Sequence, residues 1–243
     1  MERVVHLLID GQVCVPKLAW LNPGLRHHLP GLTKLAQLVE ASGNGVLPAK
    51  LDNVERAALE WLRNQWVIAD GVGYVLPMFS EEYCDKLVLE AQDMARAVGY
   101  EPNPDEEEAF QIPELVLAEV CPSLFAALDV FKSRVLDVYS VLLFGARPEV
   151  TRSIQFAQYS PDQTSHGNWH KDIDSDVTAV VSLQPERYEG GGTDLRLNAW
   201  ESVHEPPAPK GYILFFNGKH TLHRGCRVTK GRRDLLVFWT EYK

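Results

Sequence analysis

Hydrophobic positions recur at helical spacing up to Gly145 and at strand spacing beyond it. Val4 to Ile9 and Gln12 to Val15 are short apolar runs on either side of Asp10-Gly11, a dipeptide that favours a tight hairpin turn. A stretch punctuated by Pro and Gly follows, from Pro16 to Gly31. Two helices are predicted next, Leu32 to Ala41 and Asn53 to Trp66, with Asn53 as the cap of the second. Val54, Ala57, Ala58, Trp61 and Leu62 fall on one face of that helix. Ser80 caps a further helix, whose first turn carries Glu81 and Glu82 against the positive helix terminus. Its apolar positions, Cys84, Leu87, Val88, Ala91, Met94, Ala95 and Val98, keep helical spacing, and Gly99 closes it. An acidic, proline-containing loop, Glu101 to Glu108, comes next, and its Asp105 to Glu108 run reads most simply as a solvated loop. Leu124 to Val141 is a second buried helix, with Phe125, Leu128, Phe131, Val135 and Val138 on one face.

After Gly145 the period changes. Ile154 to Tyr159, Val177 to Leu183, Asp194 to Leu197, Tyr212 to Phe216 and Leu235 to Thr240 are short, and most are rich in β-branched or aromatic residues. Turn-forming segments such as Tyr188-Glu-Gly-Gly-Gly and Glu205-Pro-Pro-Ala-Pro separate them. Many short strands punctuated by turns argue for a sandwich or jelly-roll barrel. Helices first and strands later make an α+β chain with a β core. The texture shifts near Val67, so residues 1–66 are read as a small packing or docking appendage and residues 67–243 as the main domain.

Composition narrows the class. The chain has 243 residues, 45% hydrophobic and 23% charged, which excludes a disordered chain, a collagen-like repeat and a small disulfide-stapled scaffold. The formal charge is −9, from 24 Lys and Arg against 33 Asp and Glu, and no basic run is present. Nucleic acid is therefore disfavoured, although a local groove can be basic on an acidic protein. No apolar run approaches the roughly 18 to 20 residues of a membrane span. The apolar stretch near the N-terminus is too short for a signal peptide and lacks a small-residue cleavage site. Cys14, Cys84, Cys121 and Cys226 are scattered without a CxxC pair and read as small hydrophobic residues in a reducing compartment. A cytoplasmic protein with no membrane association is expected.

Five of the eight histidines lie between positions 166 and 223, and among them stands His170-Lys171-Asp172. In an extended segment, residues i and i+2 project to one face, so an imidazole and a carboxylate can converge. Thr221-Leu-His223-Arg-Gly offers a second imidazole far downstream. Two His and one carboxylate form the facial triad of non-heme Fe(II) oxygenases, which leaves one face of the metal open. A His-x-Asp tripeptide alone is a weak signal. Ten residues past His223, however, Arg233 precedes the apolar run Leu235 to Trp239. An arginine pointing into a barrel is costly unless a carboxylate pairs with it, and its planar fork suits two-point binding of one. A dicarboxylate co-substrate could chelate the metal at one end and meet Arg233 at the other.

These elements in this order resemble the Fe(II)/2-oxoglutarate oxygenases of the prolyl and lysyl hydroxylase group. The sequence is most similar to the C-terminal oxygenase domain of the procollagen lysyl hydroxylases. The likeness rests on His170-x-Asp172, the Gly-Gly-Gly-Thr turn, Pro209-Lys-Gly-Tyr-Ile-Leu-Phe-Phe, His223-Arg-Gly, and Val228-Thr-Lys-Gly-Arg-Arg233 through Trp239. Upstream, Leu76-Pro-Met-Phe-Ser-Glu-Glu-Tyr-Cys-Asp-Lys-Leu-Val resembles the family's opening helix. Ile112-Pro-Glu-Leu-Val-Leu resembles its segment before the core, and Gln158-Tyr-Ser-Pro-Asp-Gln its strand and turn ahead of the metal motif. The Tyr188-Glu-Gly-Gly-Gly turn matches the lysyl hydroxylase form. The resemblance covers roughly residues 67–243.

It implies a double-stranded β-helix (jelly-roll) core buttressed by N-terminal helices. It further implies Fe(II) bound by His170, Asp172 and His223, with Arg233 on the distal carboxylate of 2-oxoglutarate. Tyr159 and Thr178 match positions that line the co-substrate pocket, and Trp239 lies six residues past the arginine on a strand of the same barrel; for these three, core packing weighs as much as a site role. The implied chemistry is hydroxylation of an unactivated C–H bond, with dioxygen as co-substrate, ascorbate as a supporting reductant, and a peptide or protein as substrate. The nearest resemblance points to a peptidyl lysine; a prolyl residue, a free amino acid or a nucleobase stays open. Collagen is not the expected substrate, because the animal lysyl hydroxylases are secreted, multi-domain proteins. The rival from another class is a non-catalytic jelly-roll binding module whose metal site has decayed. His166 and His220 lack the motif flanks and read as second-line or solvent residues. Arg232 is an alternative clamp, although strand alternation should send one of the two arginines outward. Asp174 and Asp176 read as loop caps, with recognition of a cationic substrate as the other option. The oligomeric state stays open between monomer and homodimer.

Overall fold

The computed structural model describes residues 16–102 and 107–243. The hairpin expected around Asp10-Gly11 and the middle of the acidic loop lie outside the described residues. Five α-helices and thirteen strands are present among the described residues. The chain opens with α1 (Pro23–Ala41) and α2 (Asn53–Arg63), followed by β1 (Trp66–Ala69), β2 (Gly73–Pro77) and α3 (Glu81–Val98). Next come β3 (Glu101–Pro102), β4 (Pro113–Val116), α4 (Leu117–Val120) and α5 (Pro122–Phe144). The remainder is almost entirely strand: β5 (Val150–Tyr159), β6 (Val177–Ser182), β7 (Tyr188–Gly190), β8 (Thr193–Arg196), β9 (Ser202–Glu205), β10 (Tyr212–Phe216), β11 (His223–Gly225), β12 (Val228–Gly231) and β13 (Arg233–Glu241).

The helix ends differ from expectation for local reasons. α1 begins nine residues before Leu32. The side chain of Asn22 accepts from the Gly24 and Leu25 amides, and Pro23 occupies the first turn, where its missing N–H costs nothing. Pro30 sits inside this helix on its exposed side. The cap of α2 is Asp52 rather than Asn53: its carboxylate accepts from the Glu55 amide while Glu55 returns a bond to the Asp52 amide. On α2 only Ala58 and Leu62 are buried, and Val54 is exposed. α3 follows its pattern closely, with Ser80 accepting from the Tyr83 amide and Gly99 ending the helix at φ 82°.

Eight strands form one antiparallel sheet in the order β1-β2-β10-β6-β13-β5-β4-β3. Two smaller sheets, β11-β8-β9 and β12-β7, lie over one face of it, completing a jelly roll. Alternation along the strands sorts the side chains. Ile154, Phe156, Ala179, Val181, Ile213, Phe215, Leu236 and Phe238 belong to the large cluster shared with the helices. Phe215 meets Phe144 and Tyr139 of α5, and the Tyr139 hydroxyl donates to the Pro77 carbonyl at 2.9 Å. The intervening residues face inward. Leu214 and Phe216 pack with Leu195 of β8, while Ala157, Leu235 and Val237 pack with Val228 of β12. Both faces of the sheet are therefore covered. Leu21, Leu25, Leu32 and Leu35, from the first part of the chain, join the same cluster as the buried residues of α3 and α5.

One feature of α5 breaks its apolar pattern. Lys132 and Asp137 are both buried, with Lys132 Nζ 3.1 Å from the Asp137 carboxylate and 3.4 Å from the Pro148 carbonyl. Burial pushes the Asp137 carboxyl up, against the pull of the Lys132 ammonium beside it. Replacing Lys132 by Met should leave that carboxylate with the Arg147 guanidinium alone, at 3.9 Å, and cost about 3 kcal/mol at neutral pH. A raised carboxyl pKa means that the folded state takes up a proton more readily than the unfolded chain, so the penalty should shrink as pH falls. Urea denaturation of Lys132→Met and of Lys132→Met/Asp137→Leu checks this. The double variant should regain most of the loss; equal stability of the two variants would show that the pair is not coupled.

Candidate metal and co-substrate site

The inward face of the large sheet and the two small sheets enclose a pocket that holds most of the polar residues singled out by the sequence. Its lining includes Tyr159, His170, Asp172, Thr178, His223, Arg233 and Trp239, with Val180, Phe216, Leu235 and Val237 as apolar walls. His170 and His223 face each other across an isolated antiparallel bridge, each amide donating to the other's carbonyl at 2.9 Å. This brings the two imidazole centroids to 4.4 Å. The backbone also sets their tautomers. Nδ1 of His170 lies 2.8 Å from the Asn168 carbonyl and Nδ1 of His223 lies 2.9 Å from the Thr221 carbonyl. A carbonyl only accepts, so each Nδ1 carries the proton and each Nε2 presents a lone pair.

Asp172 completes the trio. Its Oδ1 lies 3.5 Å from His170 Nε2 and 3.6 Å from His223 Nε2, so the carboxylate faces both imidazoles at once. The three donor atoms lie within 4.8 Å of one another, an arrangement able to hold a metal ion. The other carboxylate oxygen is already used: Thr178 donates its hydroxyl to Asp172 Oδ2 at 2.5 Å. Burial pushes the Asp172 carboxyl up, but the His170 and His223 imidazoles and the Thr178 hydroxyl outweigh it, so it titrates below the ordinary carboxylate range. Burial holds the His223 imidazole below its usual value, against the pull of Asp172. An ionised carboxylate and a neutral imidazole are the protonation states that bind a divalent cation. Gly218 lets the backbone close over this corner. A Cβ there would meet Thr178 Oγ1 at 2.3 Å, the Ser175 carbonyl at 2.8 Å and Asp172 Oδ2 at 2.9 Å.

Arg233 stands at the other end of the pocket. It is buried, with NH1 donating to the Gly192 carbonyl at 2.7 Å and its guanidinium over the Tyr159 ring at 5.4 Å. Nε is buried with no hydrogen-bond partner, and no carboxylate forms an ion pair with Arg233 among the described residues. Strand alternation separates the two arginines: Arg233, Leu235, Val237 and Trp239 all line the pocket, whereas Arg232 donates to Asp234 at 3.1 Å. The turn that offers Gly192 is Gly190-Gly191-Gly192, with φ of 79°, 75° and 90°. An added Cβ would meet the Arg227 carbonyl at 2.5 Å at the first of these, the Tyr188 ring at 2.8 Å at the second and the Glu205 carbonyl at 2.5 Å at the third.

The remaining candidates lie elsewhere. His166 is held by Ser165 and by Arg227, at 3.1 and 3.3 Å, outside the trio. His220 and Asp174 are exposed. Asp176 accepts from the Tyr242 amide at 2.8 Å and pairs with Lys219 at 3.4 Å, which ties down the loop beside Gly218. Thr193, Gln155 and Glu114 also line the pocket and were not singled out by the sequence. Gln155 shares a face with Ala157 and Tyr159 by alternation within the predicted strand, and Glu114 of β4 joins them through its register opposite Ala157.

The fold is a jelly roll of the kind found in Fe(II)/2-oxoglutarate oxygenases. The chain matches no protein-family model and no curated protein by sequence. Among solved structures it is similar to a prolyl hydroxylase from Trichoplax adhaerens, in complex with a peptide of the hypoxia inducible factor oxygen degradation domain. That match has 14% identity over 79% of this chain and 94% of the other, at a TM-score of 0.57. A Pseudomonas putida prolyl-4-hydroxylase matches at 20% identity, 76% and 98% coverage and a TM-score of 0.53. The non-heme alpha-ketoglutarate-dependent carbocyclase SnoK, from nogalamycin biosynthesis, matches at 17%, 79% and 85%, with a TM-score of 0.55. At these identities the shared feature is the fold.

Thr178→Val keeps the side-chain volume and removes the hydroxyl that holds Asp172 Oδ2. It should weaken Fe(II) binding roughly 10- to 100-fold, the usual effect of losing a group that orients a metal-binding carboxylate. Anaerobic Fe(II) titration measures this directly, and unchanged affinity would show that Asp172 is positioned without Thr178.

Proposed function

We propose that this protein is an Fe(II)- and 2-oxoglutarate-dependent dioxygenase that hydroxylates an unactivated C–H bond. One observation carries the reading: a His-Asp-His trio whose Nε2 and Oδ1 atoms converge shares a pocket with a buried guanidinium that has no carboxylate partner among the described residues. A dicarboxylate with a 2-oxo group satisfies both ends at once. His170, Asp172 and His223 would hold the iron, and Arg233 would take the distal carboxylate of 2-oxoglutarate in two-point fashion. Bound iron supplies the oxidation of the C–H bond by dioxygen, coupled to decarboxylation of 2-oxoglutarate to succinate. The chain's own part is positional. Thr178 turns Asp172 Oδ1 toward the imidazoles, Tyr159 flanks the Arg233 guanidinium, and Trp239 with Val180, Leu235 and Val237 forms the water-excluding wall.

The substrate we favour is a lysyl side chain in a peptide or protein, supported by the Tyr188-Glu-Gly-Gly-Gly turn and compatible with the acidic net charge. A prolyl side chain is the second reading, supported by the prolyl hydroxylases that share the fold. Residues 67–243 would form the oxygenase unit and residues 1–66 its appendage, in the cytoplasm. No helix among the described residues is long and apolar enough to cross a membrane.

Succinate release from 2-oxoglutarate, with Fe(II), ascorbate and air, tests the reading against Lys- and Pro-containing peptides. Asp172→Ala should abolish it. Arg233→Ala should weaken 2-oxoglutarate binding roughly ten- to hundredfold, the worth of hydrogen bonds to a charged group. A one-oxygen mass gain on a lysyl peptide identifies the favoured substrate, and the same gain only on prolyl peptides replaces it. Absence of both iron binding and succinate would leave a jelly-roll binding module.

A further inference from the structure

The three-stranded sheet that carries His223 on its inward face carries a second group of metal-ligating side chains on its outward face. Asp194 of β8 and His204 of β9 are direct cross-strand partners. Cys226 follows β11, its amide donating to the Gly192 carbonyl at 3.0 Å. One carboxylate oxygen, one imidazole nitrogen and one sulfur lie within 4.8 Å of one another. His204 Nδ1 is 2.8 Å from Asp194 Oδ1 and 3.5 Å from Cys226 Sγ. We infer that Asp194, His204 and Cys226 form a second divalent-metal site, for a zinc-class ion, distinct from the His170-Asp172-His223 pocket.

Three arguments carry this. First, the geometry nearly fits. With Zn–S near 2.3 Å and Zn–N near 2.05 Å, tetrahedral ligands stand roughly 3.6 Å apart, close to the observed sulfur–nitrogen separation. The carboxylate–imidazole hydrogen bond must open by about 0.6 Å, within reach of the exposed His204 ring. Second, the carboxylate is oriented as Asp172 is. Arg224 donates to Asp194 Oδ2 at 2.9 Å and stacks over Trp169 at 4.7 Å, so Oδ1 is the oxygen left to turn toward His204 and Cys226. Third, the donor set selects its metal. Sulfur, nitrogen and oxygen on a half-exposed surface suit zinc, whereas the two-imidazole, one-carboxylate pocket suits Fe(II). The catalytic alternative is weaker. In a Cys-His-Asp triad, thiol and carboxylate sit on opposite ring nitrogens, while here both face Nδ1. Filled, the site would clasp β8, β9 and the chain three residues beyond His223.

Co(II), a coloured substitute for zinc, tests the inference in the full chain. The Asp172→Ala background removes the pocket trio, so the outcome does not depend on the oxygenase reading. That variant should still bind Co(II) with thiolate-to-metal charge-transfer absorption and should show a raised thermal midpoint with Zn(II). Adding Cys226→Ser should remove both signals, and His204→Ala should weaken binding roughly tenfold or more. Near-UV circular dichroism identical to that of the parent will show that these surface variants fold. Absence of the charge-transfer band in the Asp172→Ala protein overturns the site, as does a band that survives Cys226→Ser.

Discussion

The reciprocal backbone pairing of His170 and His223 is the constraint on which the site depends. It joins two segments far apart in sequence at one bridge, and the rings approach because their Cα atoms are fixed across it. The same segments supply the carbonyls of Asn168 and Thr221, which fix the protonated nitrogens. Ring orientation and the position of the ring proton thus follow from main-chain hydrogen bonds. Asp172 enters two residues later in extended chain, which places its carboxylate opposite the imidazoles.

What surrounds this bridge explains why the fold is layered as it is. A buried guanidinium without a counter-charge is expensive, and the sheet that carries Arg233 must tolerate it. It does so by burying its other face in the large apolar cluster shared with α3 and α5. The inward face is then free to be mixed, with Arg233, Thr178 and Gln155 among valines and leucines. The helical layer supplies cohesion and the opposite face carries the chemistry.

Much of this was legible in the chain. Alternation across Leu235 to Trp239 indicates that one of Arg232 and Arg233 turns outward, and the structure places Arg232 on Asp234. Strand β10 and helix α3 fall where the apolar spacing puts them. Less legible were features set by a single polar contact. Asn22 starts α1 in a stretch that Pro and Gly make look irregular, and nothing in the hydrophobic pattern encodes a cap. The Thr178 hydroxyl on Asp172 joins two residues with no periodic relation, and Gly218 matters only because two backbones meet there. Asp194, His204 and Cys226 are brought together by sheet register, which short strands with long connections do not reveal.

The Gly190-Gly191-Gly192 turn limits how the protein can change. At each position two independent barriers coincide, a left-handed backbone and an atom standing where a Cβ would be. Relief of one leaves the other, so no single compensating substitution opens the turn to another residue type. The pocket's apolar walls, by contrast, can exchange one branched side chain for another at modest cost. Divergence of this scaffold toward new substrates is therefore channelled: the walls can drift, while the turn that presents a carbonyl to Arg233 can only be kept or lost.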